Sequence, residues 1–363
     1  MAAIDRLFDE LLTRKGSDLH LSVGYPPMLR TKGDLVALQE PPLTVDLMES
    51  LLAEILDEER WQLFRREWDL DFAYSYGDKA RFRANYLYKT TGPGAVFRTI
   101  PSKVLTATQL NLPKACLSLA ERRSGLILVT GPTGSGKSTT LAAMLDHINR
   151  TRAGHILTIE DPVEFVHQPI ECQITHREVG LDTPSFADAI RSAGRENADV
   201  ILVGELRGAE TMRLALQLAS FGVLIFATVH TNSSSATIER FVNAFPAPQQ
   251  PQIRGMLADS LAGIIAQQLL KRADGSGRLA VHEILMGNTG VASAIRESRT
   301  SMIPSLIQSG ARDGMQTMDA CLERFMKDGA ITPIDALEKS LDKESFARIP
   351  MVAQAVERAG AGH

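Results

Sequence analysis

Apolar residues at Ile4, Leu7, Phe8, Leu11 and Leu12 recur at the spacing that lines one face of a helix, so the chain is predicted to open with a short amphipathic helix between Ile4 and Arg14. The pattern then changes period. Ser17-Asp18-Leu19-His20-Leu21-Ser22-Val23 alternates polar and apolar residues and runs into Tyr25-Pro26-Pro27, which reads as a strand closed by a turn. Helical spacing returns from Val45 to Phe64. Alternation resumes at Leu70-Asp71-Phe72-Ala73-Tyr74 and at Arg81-Phe82-Arg83-Ala84-Asn85-Tyr86. A third strand is predicted near Ala95-Val96-Phe97-Arg98, after a Thr91-Gly92-Pro93-Gly94 turn. Residues 1–100 therefore read as a small α+β domain built on an antiparallel sheet.

Residues 101–113, polar and bracketed by Pro101 and Pro113, read as a linker, followed by a helix from Lys114 to Arg123. Beyond it, short β-branched runs alternate with helical stretches: Leu126–Thr130, His155–Ile159, Val200–Val203 and Val223–Val229. Such runs fit strands buried on both faces, in a parallel sheet flanked by helices. From Gln249 onward nearly everything reads as helix, including Leu257 to Leu270 and Ile334 to Ala347. The expected division is 1–100 for the first domain, 114–290 for the α/β domain and 291–363 for a helical C-terminal region.

Composition adds exclusions. Of the 363 residues 44% are hydrophobic, 23% charged and 6% aromatic, an ordinary globular balance that excludes a disordered or collagen-like chain. Thirty-nine basic against 43 acidic residues leave a net charge of -4, which argues against wrapping nucleic acid. Cys116, Cys172 and Cys321 are far apart and form no C-x-x-C pair, so they read as buried free thiols rather than a zinc or redox site. No uncharged apolar run reaches the ~18 residues that span a bilayer. Asp5, Asp9 and Glu10 stand where a signal peptide would be basic. A cytoplasmic chain without transmembrane insertion is expected.

The densest chemical signal is Gly131-Pro132-Thr133-Gly134-Ser135-Gly136-Lys137-Ser138, which satisfies G-x-x-x-x-G-K-[ST] between a predicted strand and a predicted helix from Thr139 to Ile148. In such a loop glycines let backbone N–H groups converge on a β-phosphate at a helix N-terminus. Lys137 would reach the β- and γ-phosphates, and Ser138 would give a hydroxyl to Mg²⁺. Gly131 through Thr139 are thus the candidate nucleotide-binding segment.

Other polar groups follow predicted strands, where ligands bind in sheets of this kind. Glu160-Asp161-Pro162-Val163-Glu164 is either a Mg²⁺- or water-orienting carboxylate cluster or a solvated acidic turn. Glu205, after Val200–Gly204, is the candidate catalytic base or water-positioning residue. His230, at the tip of the Ile225–Val229 run, would either sense a γ-phosphate or bond Glu205. Arg81 and Arg83 share one strand face with Arg98 on the next strand, so the three form either a salt-bridged face or a clamp for the triphosphate.

These motifs resemble the secretion-type ATPases of type IV pilus and type II secretion systems, in particular the pilus-retraction (PilT-type) branch, over nearly the whole chain. The resemblance rests on Gly16-Ser17-Asp18-Leu19-His20, Arg81-Phe82-Arg83, the Gly131–Ser138 loop, Ile159–Phe165, Arg177-Glu178-Val179-Gly180, Ile201–Glu205, Thr228-Val229-His230-Thr231 and Gly314–Asp319. It implies a PAS-like N-terminal domain and a RecA-like P-loop ATPase domain in a homohexamer that uses ATP and Mg²⁺. The ring would lie at the inner face of the cytoplasmic membrane, turning a platform protein to retract the pilus. The family roles would fall on Lys137 and Ser138, on Glu160 and Glu164 for metal and water, on Glu205 as catalytic glutamate and on His230 at the γ-phosphate. Arg81, Arg83 and Arg98 would form the clamp, and Arg240 would reach nucleotide across the ring. Ala294-Ile295-Arg296-Glu297 resembles a motif tied to retraction rather than hydrolysis.

Extension ATPases of the family carry a four-cysteine zinc motif that is missing here, which favours retraction. The chain departs from the family at Phe221-Gly222-Val223-Leu224, where Thr-Gly-His-Leu is common, at Arg195–Asp199 and at Gly208. These departures keep a second expectation open, an accessory, weakly hydrolysing paralogue (PilU-type) working with an active homologue. A RecA-like motor on nucleic acid finds no basic or aromatic surface to support it.

Overall fold

The computed structural model describes residues 3–31, 33–77, 79–100 and 103–360. The chain divides into two compact units, Met1–Lys103 with Pro162–Val166, and Val104–Asp161 with His167–His363. Of the expected linker, Pro101 and Ser102 lie outside the described residues.

In the first unit the opening helix spans Asp5–Thr13 and buries Leu7, Phe8 and Leu11. Six strands follow: β1 (Asp18–Ser22), β2 (Met28–Thr31), β3 (Asp34–Ala37), β4 (Asp69–Tyr76), β5 (Ala80–Lys89) and β6 (Gly92–Ile100). They form one antiparallel sheet in the order β3-β2-β1-β6-β5-β4. Phe8 stacks on Phe82 at 4.5 Å between centroids and meets Phe97 edge-on at 5.0 Å, so the helix is held by aromatic contacts whose burial contributes roughly 1.5–3 kcal/mol each. The helical spacing of Val45–Phe64 is realised as two helices, Val45–Ala53 and Glu58–Glu67. The break falls where the Asp57 carboxylate accepts from Arg60 N at 2.8 Å and starts the second helix. β6 begins at Gly92, inside the expected turn.

The second unit is a RecA-like α/β fold. Its strands are β7 (Gly125–Thr130), β8 (Gly154–Glu160), β9 (Cys172–Glu178), β10 (Val200–Val203), β11 (Leu224–Val229), β12 (Leu261–Lys271) and β13 (Arg278–Met286), in the order β13-β12-β7-β11-β10-β8-β9. All neighbours pair parallel except β12 with β13. Helices including Lys137–Thr151, Phe186–Ala193, Ala209–Ser220, Ser234–Asn243 and Gln250–Ser260 belong to this unit.

One element corrects the sequence reading: Leu257 to Leu270 is not a helix throughout. The helix stops at Ser260 and β12 begins at Leu261. Leu261–Gln267 is buried without interruption, so the run has no face to betray its period. Gly263 fits because a Cβ there would lie 2.6 Å from Leu119 Cδ2 and 2.7 Å from Leu285 O, a close approach that only glycine permits. The helical reading of Ile334–Ala347 is likewise broken into Pro333–Lys339 and Lys343–Ala347, where Ser340 turns extended and Asp342 caps the second helix. The region after Met286 is otherwise helical. Its own core gathers Met318, Cys321, Leu322 and Met326 against Leu270 and Val281 of the β12–β13 hairpin.

Candidate active site

β7 is buried at every position and runs directly into the Gly131–Ser138 loop. Gly131, Gly134 and Gly136 take φ of +148°, +78° and +86°, conformations that side-chain-bearing residues adopt only under strain. A Cβ on Gly131 would also fall against the Gln267 carbonyl oxygen, far below the 3.0 Å limit of real contacts. The helix Lys137–Thr151 starts from Gly136, with its first N–H groups at the loop. Lys137 is buried, and its Nζ donates to Gly131 O at 2.9 Å and Pro132 O at 3.0 Å, so the ammonium is held within the loop. Ser138 and Thr139 are half-buried on the first turn, whereas Pro132 and Thr133 are exposed.

Parallel pairing places the other candidates by strand order. β11 lies between β7 and β10, so the residue after β11, His230, stands between the loop and the end of β10. Its Nε2 is 3.5 Å from Glu205 Oε2, while Arg207 pairs with Glu205 Oε1. The Glu205 side chain is only 18% exposed. Of the two alternatives for His230, the structure thus places the ring against Glu205. Glu160, at the end of β8, is buried against Gly204, whose N–H donates to Ile159 O at 2.8 Å. Hydroxyls fasten the loop after His230. Thr130 Oγ1 lies 2.5 Å from Thr231 Oγ1 and accepts from Thr231 N at 2.9 Å, and Thr231 Oγ1 lies 2.6 Å from Thr237 Oγ1.

Three groups escaped the sequence reading. Gln267 of β12 donates from Nε2 to Ser135 O at 2.6 Å and accepts from Thr140 Oγ1 at 2.7 Å. Its neighbour Gln268 donates to Lys339 O at 3.3 Å. Glu283 of β13 accepts from Ser234 N at 2.7 Å, at the start of the helix after His230. Burial pushes the Glu283 carboxyl above its usual range, against the pull of N–H groups at Ser234 and Met318. The partners of Gln267 and Glu283 are between 35 and 132 positions away, and strands misread as helix hide both. The readable cue was Asp274-Gly275-Ser276-Gly277, a hairpin turn between two apolar runs.

The remaining candidates are not brought to this constellation within the second unit. Arg81, Arg83, Arg98 and Glu164 belong to the first unit. There Arg83 and Arg98 are direct cross-strand partners, both exposed, and Arg98 Nε donates to Asp18 Oδ1 at 2.8 Å. Burial pushes the Asp18 carboxyl up, but the bonds from Arg98 and Ser17 outweigh it and hold it below the usual range. For Arg98 the salt-bridged alternative is therefore realised. Glu164 is exposed. Arg240 is exposed on the helix Ser234–Asn243.

The departures from the family pattern also find their places. Val223 precedes β11, at the opposite end of that strand from His230, and packs on the hydrophobic core. Asn197 takes a left-handed φ of +52°, and Asp199 accepts from His155 N at 2.8 Å. Gly208 is the N-cap of the helix Ala209–Ser220, with open space where a Cβ would be.

With these groups at one end of a parallel sheet the class of protein is defined: an ATPase. The match to known proteins narrows it, because residues 2–302 fit the model of the Type II/IV secretion system protein family, and the chain belongs to that family. It is 47% identical over 330 residues to the type IV pilus retraction ATPase PilT of Pseudomonas aeruginosa, covering 91% of this chain and 96% of that one. To the type IV pilus ATPase PilU of the same organism it is 36% identical, over 92% of this chain and 87% of that one. A crystal structure of the pilus retraction motor PilT with bound ADP matches with a TM-score of 0.89 at 42% identity, covering 95% of this chain and 99% of that one.

Proposed function

We propose that this chain is an ATP-hydrolysing motor that powers type IV pilus retraction, working as a homohexamer at the inner face of the cytoplasmic membrane on a platform protein. The observation that carries the reading is the placement of Glu205 and His230 on strand ends beside the glycine-lined loop. In this reading the loop amides and the N-terminal turn of the helix Lys137–Thr151 hold the phosphates. Lys137 exchanges its loop carbonyls for phosphate oxygens, a swap of acceptors that leaves the ammonium paired throughout.

The donor set suits Mg²⁺. The Ser138 hydroxyl and the buried Glu160 are hard oxygen ligands, and Mg²⁺ takes one or two such groups together with phosphates rather than a dedicated cage. Bound there, the ion would neutralise charge on the phosphates. Glu205, held by Arg207 and His230, orients and deprotonates the attacking water, and His230 relays the state of the γ-phosphate to that carboxylate. Glu164 would orient water in the shell of the metal, while Arg81, Arg83 and, across the ring, Arg240 would supply charge to the nucleotide, and Arg98 would join them only on leaving Asp18. The functional division follows as a PAS-like domain at 1–100, a linker at 101–113, the ATPase domain at 114–290 and a helical region at 291–363.

The greater identity to the PilT sequence than to the PilU sequence supports a principal motor over an accessory paralogue. Val223 lies at the far end of β11 from His230, so that departure does not sit beside the Glu205 carboxylate. The test is steady-state ATP hydrolysis by the purified chain with its assembled mass, alongside Glu205→Gln. A hexamer whose turnover falls at least a hundredfold in the variant, with ATP still bound, is expected. Undiminished turnover in Glu205→Gln would remove that residue from the chemistry. A wild-type hexamer that binds ATP without turnover would make the accessory reading the better one.

A further inference from the structure

Gln267 is 2% exposed and clasps the phosphate loop from the side of β12. Its amide is oriented without ambiguity, because the Ser135 carbonyl can only accept and the Thr140 hydroxyl, at 2.7 Å from Oε1, donates. The loop closes around this residue. Gly131 packs on its carbonyl oxygen, and a Cβ on Gly136 would lie 2.9 Å from its Nε2. Register explains the position. Ala266 pairs with Thr130, the last residue of β7, so Gln267 stands beside the point where the loop leaves the sheet.

The consequence for nucleotide follows from peptide geometry. In a planar trans peptide the C=O and the next N–H point in opposite directions. Holding the Ser135 carbonyl toward β12 therefore turns the Gly136 N–H to the other side of the loop, the side on which phosphate oxygens would lie. Without the clasp, a loop containing Gly134 and Gly136 has many alternative conformations in which its amides diverge.

We propose that Gln267 is a positioning residue for the nucleotide, fixing the Ser135–Gly136 peptide so that its N–H is aimed at the diphosphate. The proposal rests on the reading of Gly131–Ser138 as a nucleotide site. The loop grips the diphosphate equally in bound ATP and in the transition state, so its loss raises KM more than it lowers kcat.

The experiment compares the intact wild-type protein with Gln267→Leu and Gln267→Glu, measuring ADP affinity by calorimetry together with KM and kcat for ATP. Gln267→Leu is expected to weaken ADP binding and raise KM at least tenfold, with kcat within about threefold of wild type. Gln267→Glu, whose ionised carboxylate lacks the donor, is expected to show the same rise in KM at pH 8. Its deficit should shrink at pH 6 as the buried carboxyl takes up a proton and can again donate to Ser135 O. If Gln267→Leu does not fold, Gln267→Glu alone decides. ADP affinity and KM within twofold of wild type would overturn the proposal, as would a fall in kcat with KM unchanged, the mark of a merely structural residue that reduces the active fraction. Wild-type protein that binds no ADP would instead sink the nucleotide site itself and the proposal with it, a result separable from the variants' behaviour.

Discussion

Substituting Gly131 by alanine tests how closely β12 is built against the nucleotide loop. Two effects add. At φ of +148° an L-residue is strained, by roughly 1–2 kcal/mol. The new Cβ would also press on the Gln267 carbonyl oxygen and lie 2.6 Å from Ser135 Oγ. The hydroxyl can rotate away, but the carbonyl belongs to a strand paired on both sides, with β7 and with β13, and cannot yield alone. Overpacking of this kind adds roughly 1–3 kcal/mol, giving a total of about 2–5 kcal/mol. At roughly 2–4 °C per kcal/mol for a unit of this size, the melting temperature should fall by about 4–20 °C. Gly134→Ala is the internal control. Its φ of +78° carries the strain, but nothing lies within 4 Å of the added Cβ, so its melting temperature should fall by only about 2–8 °C. Thermal unfolding of the nucleotide-free protein reads both directly. Equal losses in the two variants would refute the argument that the approach of β12, rather than backbone strain alone, demands glycine at position 131.

Further outcomes follow from other contacts. Lys137→Ala should abolish ADP binding measured by calorimetry, because a neutral loop lacks the cation that its Gly131 and Pro132 carbonyls hold ready. Burial, reinforced by the charge of Arg324, pushes His282 down to about 4, so the fold favours the neutral ring. Its contribution to stability is therefore complete above pH 6.5 and is lost as pH falls toward 4. The loss amounts to roughly 1–2 kcal/mol at pH 5.5, so the stability lost between urea titrations at pH 8 and 5.5 should be smaller by that amount in His282→Gln than in wild type, the buried His167 ring, also pushed down to about 4, contributing a like loss to both. Arg296 is exposed and pairs with exposed Asp259, a bond worth roughly 0–1 kcal/mol, so Arg296→Ala should leave stability and ATP turnover near wild type. Pilus retraction should nevertheless fail in cells carrying it, and normal retraction would return that motif to an ordinary helix face.

Legibility tracked how local each cause was. The strands ending at Thr130, Val203 and Val229 were readable because short β-branched runs bounded by glycine or polar residues have few other uses, and the loop after β7 carries its signature within eight consecutive positions. The Glu205–His230 contact could be anticipated only as one of two alternatives, since it depends on β11 lying beside β10, which adjacency in sequence does not dictate. β12 escaped because burial on both faces erases the difference between periods of 2 and 3.6 over Leu261–Gln267. With it went Gln267, whose bond to Ser135 spans 132 positions. The two helices between Val45 and Glu67 share one apolar spacing, and what separates them is a single cap at Asp57. The arginines show the converse. Alternation put Arg81 and Arg83 on one face, but only the paired strands reveal that Asp18 already engages Arg98.

Glu283 gives the site a mechanical property. One buried carboxylate receives the first amide of the helix that follows His230 and is bonded by the backbone of Met318, where the helix Met318–Lys327 begins. Neither helix can withdraw without stranding a buried polar group, at a cost of roughly 1–3 kcal/mol. That is comparable with the coupling energy a ligand typically exerts between distant sites. One side chain thus ties the starts of two helices that are far apart in sequence, and separating them carries that cost. The loop after His230 and the C-terminal helices therefore share a buried anchor on β13, the last strand of the sheet.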